Sequence, residues 1–198
     1  MMSVMQKHRL GVFVLLLGCA AWAPSQTAAC GYHDDVSLAR GALNWIYPDA
    51  LHVIGAISTA VADRRLPAGA SVRRGPDLFG YHATVRSIER LGRQLHEIAG
   101  EMPGPEFSLL LIEPMLWTRF VPDQGDLQAR VHVSAPQAGE LVIISGEEVI
   151  RAIANNALTI GEAYRSGLMR LYGADQQVKS FLARYDEVGA RVPRNDPG

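Results

Sequence analysis

The spacing of apolar residues along this 198-residue chain changes from helical to strand-like near residue 105, and that change limits the fold more than any other feature. Leu78, Tyr81, Val85, Ile88, Leu91, Leu95 and Ile98 recur at steps of three and four, with Arg86, Glu89, Arg90, Arg93 and Glu97 between them. This is the pattern of a helix with one buried face. Gly100, Pro103, Gly104 and Pro105 end it. Phe107 to Ile112 is then a continuous apolar run, as in a strand covered on both faces. Leu127, Ala129, Val131 and Val133 alternate with polar residues, as in a half-buried strand. Helices that precede a block of strands point to an α+β fold. The expectation is a four- or five-stranded sheet with helices packed on it, preceded by an N-terminal helical region.

The remaining elements follow from local signals. Val36 to Ile46 reads as one helix. A second starts near Pro48-Asp49 and carries Leu51, Ile54, Ile57 and Val61 until Pro67 stops it. Met115 to Val121 pairs with the first strand through Glu113-Pro114, and residues 123–126 suit a hairpin turn. Leu141 to Ile144 is a further strand. Ser145-Gly146-Glu147-Glu148 and Thr159-Ile160-Gly161-Glu162 both have the spacing of a capping box, each opening a helix. Leu168 to Tyr172 reads as a short strand. A last helix runs from Ala174 to Tyr185, with Val178, Phe181, Leu182 and Tyr185 on one face.

The N-terminus has the three parts of a secretory signal. Residues 1–9 carry Lys7 and Arg9 and no acid, residues 10–18 are apolar, and small residues follow up to Ala29. The apolar run is about half of the ~20 residues that a membrane-spanning helix needs. Residues 1–29 are therefore expected to be a cleaved signal peptide, and the protein periplasmic or secreted. Lipidation is the alternative, at Cys19 within Leu16-Leu17-Gly18-Cys19, or at Cys30. Residues 30–188 read as one domain, made of a helical region (30–105) and an α+β region (106–188), with a loose tail at 189–198.

Without the two basic residues of the leader, the net charge moves from −1 to −3. A weakly acidic chain without long basic runs argues against nucleic acid as a partner. Cleavage at Ala29 leaves Cys30 as the sole cysteine, so no internal disulfide forms and the fold rests on packing.

Residues 106–185 resemble the C-terminal part of the sterol carrier protein type 2 family. The resemblance is carried by apolar strands followed by LVIISGEEVIRAIANNALTIGEAYRSGLMRLYGADQQVKSFLARY, with Ser145, Leu158, Ala163, Gly167, Leu168, Leu171, Gly173 and Leu182 at matching positions. It implies helices packed on a strongly twisted sheet around an apolar tunnel that holds a lipid tail. The residues expected to line such a tunnel are Phe107, Leu109, Leu111, Met115, Trp117, Met169, Phe181 and Leu182. The same residues suit the filled core of an ordinary packed domain.

Chemistry is sparse in the sequence. Cys30, His33, Asp34 and His52 are of metal-ligand type, but Cys30-x-x-His33 is only half of a zinc pattern. Cys30 with either histidine also has the makings of a thiol nucleophile and its base. No GxSxG, HExxH, GxGxxG or P-loop occurs. Glu147-Glu148 and Asp34-Asp35 sit at helix starts, where the dipole alone favours negative charge.

The leading expectation is an exported, non-enzymatic protein that binds an apolar ligand and needs no cofactor. The runner-up is a cell-envelope scaffold that binds a partner protein, and metal binding at the Cys30 cluster is third. Membrane contact is expected only if the chain is lipidated. A lipid binder calls for an apolar cavity of several hundred cubic ångströms, roughly. A scaffold calls for an exposed apolar patch.

Overall fold

The computed structural model describes residues 37–67, 78–100, 104–123 and 126–190. The expected signal peptide, Cys30, His33, Asp34 and the tail beyond residue 190 lie outside the described residues.

The chain forms an α+β structure. Helices α1 (Ser37–Ile46), α2 (Ala50–Ala62) and α3 (Leu78–Ala99) come first. Strands β1 (Phe107–Leu111), β2 (Leu116–Asp123), β3 (Asp126–Val131) and β4 (Leu141–Ser145) follow. Then come α4 (Glu147–Ala154), α5 (Ile160–Arg165), β5 (Met169–Tyr172) and α6 (Asp175–Tyr185).

The five strands form one sheet in the order β3-β2-β1-β4-β5. The central pair, β1 and β4, is parallel, and every other pair is antiparallel. All five residues of both central strands are buried. This is the reason for their largely apolar sequences, in which the only polar residues are the buried Ser108 of β1 and Ser145 of β4, since each faces helices or covering chain on both sides. β1 turns into β2 through Glu113, Pro114 and Met115, where Met115 donates its N–H to Ile112 O at 3.3 Å and takes a left-handed φ of 51°.

Register divides the strand residues between two faces. Phe107, Leu109 and Leu111 lie opposite Phe120, Thr118 and Leu116. On this face Phe107 stacks on Phe120, with ring centroids 4.8 Å apart, and meets Phe181 of α6 edge-on. Phe120 also approaches Gly92 of α3. The opposite face carries Leu110, Trp117, Val142 and Tyr172. There Tyr47, between α1 and α2, contacts both Trp117 and Tyr172, and the Tyr172 hydroxyl donates to Pro48 O. Residues 132–140 return the chain from β3 to β4. Arg119 ties that return down through an ion pair with Glu140 (Nε–Oε1 3.3 Å) and a hydrogen bond to Ala135 O (3.1 Å).

One local expectation is corrected. Ser145 does not cap α4: it is the last residue of β4, and its hydroxyl donates to Leu168 O at 2.9 Å. The N-cap position belongs to Gly146, which has no side chain to offer. The second box forms as read, with Thr159 Oγ1 accepting from Glu162 N (3.0 Å) and the Glu162 carboxylate accepting from Thr159 N (2.9 Å).

Candidate functional site

Of the eight residues expected to line a tunnel, Phe107, Leu109, Leu111, Met169 and Phe181 are buried. Met115, Trp117 and Leu182 are partly buried against the same core. They do not share one space. Phe107, Leu109 and Leu111 lie on the α6 side of the sheet, Trp117 lies on the α1–α2 side, and Met115 sits in the turn between β1 and β2. Two of the aromatic members, Phe107 and Phe181, belong to a run of ring contacts from Phe120 to Tyr185.

Of the metal-type residues, only His52 is described. It is exposed on α2, and its Nδ1 lies 3.1 Å from Asp49 Oδ1. Among the described residues no group of three His, Cys, Asp or Glu side chains is placed to hold a metal ion. No helix among them is long and apolar enough to cross a membrane.

Three surface or half-buried features carry the chemistry that is present. The first is an open cleft of about 440 Å³ lined by Arg65, Leu66, Leu158, Glu162, Arg165, Ser166 and Leu168. It joins the turn after α2 to the two ends of α5. Its floor is three leucines, of which Leu66 and Leu168 are buried. Its rim is polar. Arg165 pairs with Asp186 (Nη1–Oδ1 3.1 Å) and Arg65 with Asp63 (Nη2–Oδ2 3.4 Å). Both are exposed pairs of the kind that holds loosely in water. Leu158 and Leu168 belong to the set that carries the family resemblance. The cleft itself is not legible in the sequence, because its lining comes from segments about 90 residues apart that only the fold joins.

The second feature is an apolar corner. Trp45 is 90% exposed and Ile46 69%, at the end of α1, and Leu51 is 48% exposed at the start of α2. A solitary exposed apolar residue is ordinary, whereas three within seven positions at one bend form a patch.

The third feature is a carboxylate corner beyond the C-terminal ends of the parallel strands. Glu113 follows β1, and Glu147 and Glu148 follow β4. The Glu113 carboxylate accepts a hydrogen bond from Glu147 N at 3.2 Å. It thus satisfies an N–H of the first turn of α4 that Gly146 leaves open. The fit requires glycine. A Cβ at position 146 would stand 2.5 Å from Glu113 Oε1 and 2.6 Å from Ile57 Cδ1. Glu147 accepts from Thr84 Oγ1 of α3 at 2.7 Å. Glu148 is buried and pairs with Arg151.

Burial pushes the Glu147 carboxyl up to about 7, and the neighbouring Glu148 charge adds to this against a smaller opposing pull from Arg151. Burial likewise raises Glu113, only partly offset by the backbone N–H groups it accepts from. The helix dipole favours ionised acids at this terminus, but here desolvation outweighs it. Local reading of Glu147-Glu148 as ordinary helix-start acids missed this. The signal needed was Glu113, which lies 34 residues earlier.

Fold and site together define an α+β protein with a five-stranded mixed sheet, an open leucine-floored cleft and no residue set of a known catalytic pattern among the described residues. No family model matches the chain, and no curated protein matches its sequence. Among solved structures, a double mutant of the sec-alkylsulfatase PisA1 is similar over 50% of this chain and 16% of its own, with 20% identity and a TM-score of 0.36. The stereoselective inverting sec-alkylsulfatase Pisa1 from Pseudomonas sp. is similar over 48% and 15%, with 20% identity and a TM-score of 0.35. The chain thus spans about one-sixth of the length of those structures.

Proposed function

We propose that this chain is an exported, non-enzymatic protein that binds an apolar or amphiphilic small molecule, held in the cleft between the end of α2 and α5. The observation that carries this reading is the cleft itself: about 440 Å³, with Leu66, Leu158 and Leu168 as its floor. Binding sites for small molecules are concave, mostly apolar and edged by a few polar groups, and their volumes start at roughly 300 Å³. Each CH₂ group that leaves water for such a floor contributes about 0.8 kcal/mol. The resemblance of residues 106–185 to the sterol carrier family supports a lipid-like ligand. It implies a ligand in the interior, whereas the ring contacts that Phe107 and Phe181 make with Phe120 and Tyr185 favour the cleft. The order of charged, apolar and small residues in 1–29 supports export.

A fluorescent long-chain fatty-acid probe tests the reading. Saturable binding is expected below the probe's micellar concentration, and Leu158→Asp weakens it at least tenfold. Binding that is absent, or indifferent to Leu158→Asp, would sink the assignment to the cleft.

The exposed corner of Trp45, Ile46 and Leu51 favours a second reading, in which the chain docks a partner protein of the cell envelope. Photo-crosslinking from position 45 in the intact cell separates the two. A docking protein yields one cross-linked species of constant mass that Ile46→Asp abolishes, and a small-molecule carrier yields none.

A further inference from the structure

We infer that the ligand of the α2–α5 cleft is an amphiphile with an anionic oxygen head, a carboxylate or a phosphate, gripped by Arg65 and Arg165 while its tail lies on the leucine floor. The inference rests on the reading of the cleft as a binding site and adds the chemistry of the head.

The cleft offers donors that the fold does not use. Arg65 follows the end of α2 and Arg165 is the last residue of α5, and both line the recess. A guanidinium carries five N–H donors on three nitrogens. Arg165 commits one nitrogen, Nη1, to Asp186, whose carboxylate oxygens lie 3.1 and 3.4 Å away. Arg65 commits Nη2 to Asp63 at 3.4 Å. The other two nitrogens of each arginine have no partner among the described residues. Both ion pairs are exposed and hold loosely, so either arginine can turn an unused edge to a ligand.

A cationic head meets the opposite situation. Glu162 is the sole acid among the described lining residues. Its carboxylate accepts from Thr159 N at 2.9 Å as half of the capping box, so a cation drawn to it competes with the cap of α5. The Ser166 hydroxyl donates to Glu162 O at 2.6 Å, which leaves the arginines as the donors of the rim. Long-range attraction does not decide the matter, because Asp63 and Asp186 cancel the two arginines and Glu162 adds one negative charge. Recognition is by contact. The forked N–H edge of an arginine matches a carboxylate or a phosphate, and a tail buried on Leu66, Leu158 and Leu168 keeps that head within reach. A neutral lipid satisfies the floor alone, whereas an anionic amphiphile satisfies floor and rim.

The test is titration calorimetry of the intact protein with decanoate, decyl phosphate, 1-decanol and decyltrimethylammonium, which share one tail, each below its micellar concentration. The tighter of the two anions is expected to bind about tenfold or more better than decanol, the scale of a hydrogen bond to a charged group. It identifies the head, and the cation is expected to bind weakest. In the double variant Arg65→Met with Arg165→Met, which keeps the apolar stems, the ratio of anion to decanol affinity is expected to fall to about one. Anions and decanol that bind equally well, or a cation that binds best, overturn the inference and leave the cleft as an apolar site. A preference for anions that survives the double variant overturns the assignment to the arginines. Failure of all four to bind overturns the reading of the cleft itself. The comparison of heads needs no variant, so it decides even if the double variant fails to fold.

Discussion

Glu113 and Thr159 solve the same problem by different routes. The first turn of a helix has N–H groups that no backbone carbonyl reaches, and each needs an acceptor. At α5 the acceptor is Thr159, directly before the helix, with Glu162 reciprocating. Thr159→Ala is expected to cost about 1 kcal/mol in chemical denaturation, the usual loss for a capping hydroxyl. At α4 the acceptor is Glu113, which arrives from the β1–β2 turn. The two four-residue patterns look alike in the sequence. Only the Thr159 pattern was legible there, because all its partners lie within three residues. In the other, Ser145 is taken up by β4 and by Leu168 O, and neither is visible to a local reading. Gly189 gives a sharper prediction. Its φ is +87°, and a Cβ there would overlap Leu158 O and press on Ile153. Gly189→Ala is expected to cost roughly 2–4 kcal/mol, since both backbone strain and overlap must be relieved.

At the scale of elements, the long amphipathic α3 and the central strands were the most legible, for one reason: their burial is regular. The spacing from Leu78 to Ile98 maps onto α3 (Leu78–Ala99), with Ile88, Leu91 and Leu95 in the core. The apolar run from Phe107 maps onto β1, whose five residues are all buried. The alternation read to Val133 persists in the structure only to Val131. There His132 takes a left-handed φ of 66°, and the N–H groups of His132 and Val133 both donate to Trp117 O, so the ladder ends in a bulge. The corner between α1 and α2 behaves differently, for Trp45 and Ile46 have apolar character without burial. Trp45→Ser with Ile46→Ser is expected to leave thermal stability within about 0.5 kcal/mol, because those side chains lose little contact. A loss several times larger would mean that the corner is covered within the molecule.

At the scale of the whole molecule, the sheet is a wall with helices on both sides, and the interior is taken up by aromatic and branched side chains. Sequence patterning foretold that there would be a sheet and a core. It did not foretell where concave surface would remain, because the cleft depends on how the turn after α2 meets α5. That meeting leaves Leu66, Leu158 and Leu168 at the base of an open recess. The proposed function requires that this recess hold an apolar ligand. Native mass spectrometry of the protein purified with its own N-terminus tests it most directly. A lipid-sized adduct is expected, one that unfolding releases and that Leu158→Asp loses while remaining folded. A bare polypeptide mass in repeated preparations, with no adduct restored by added fatty acid, would contradict it.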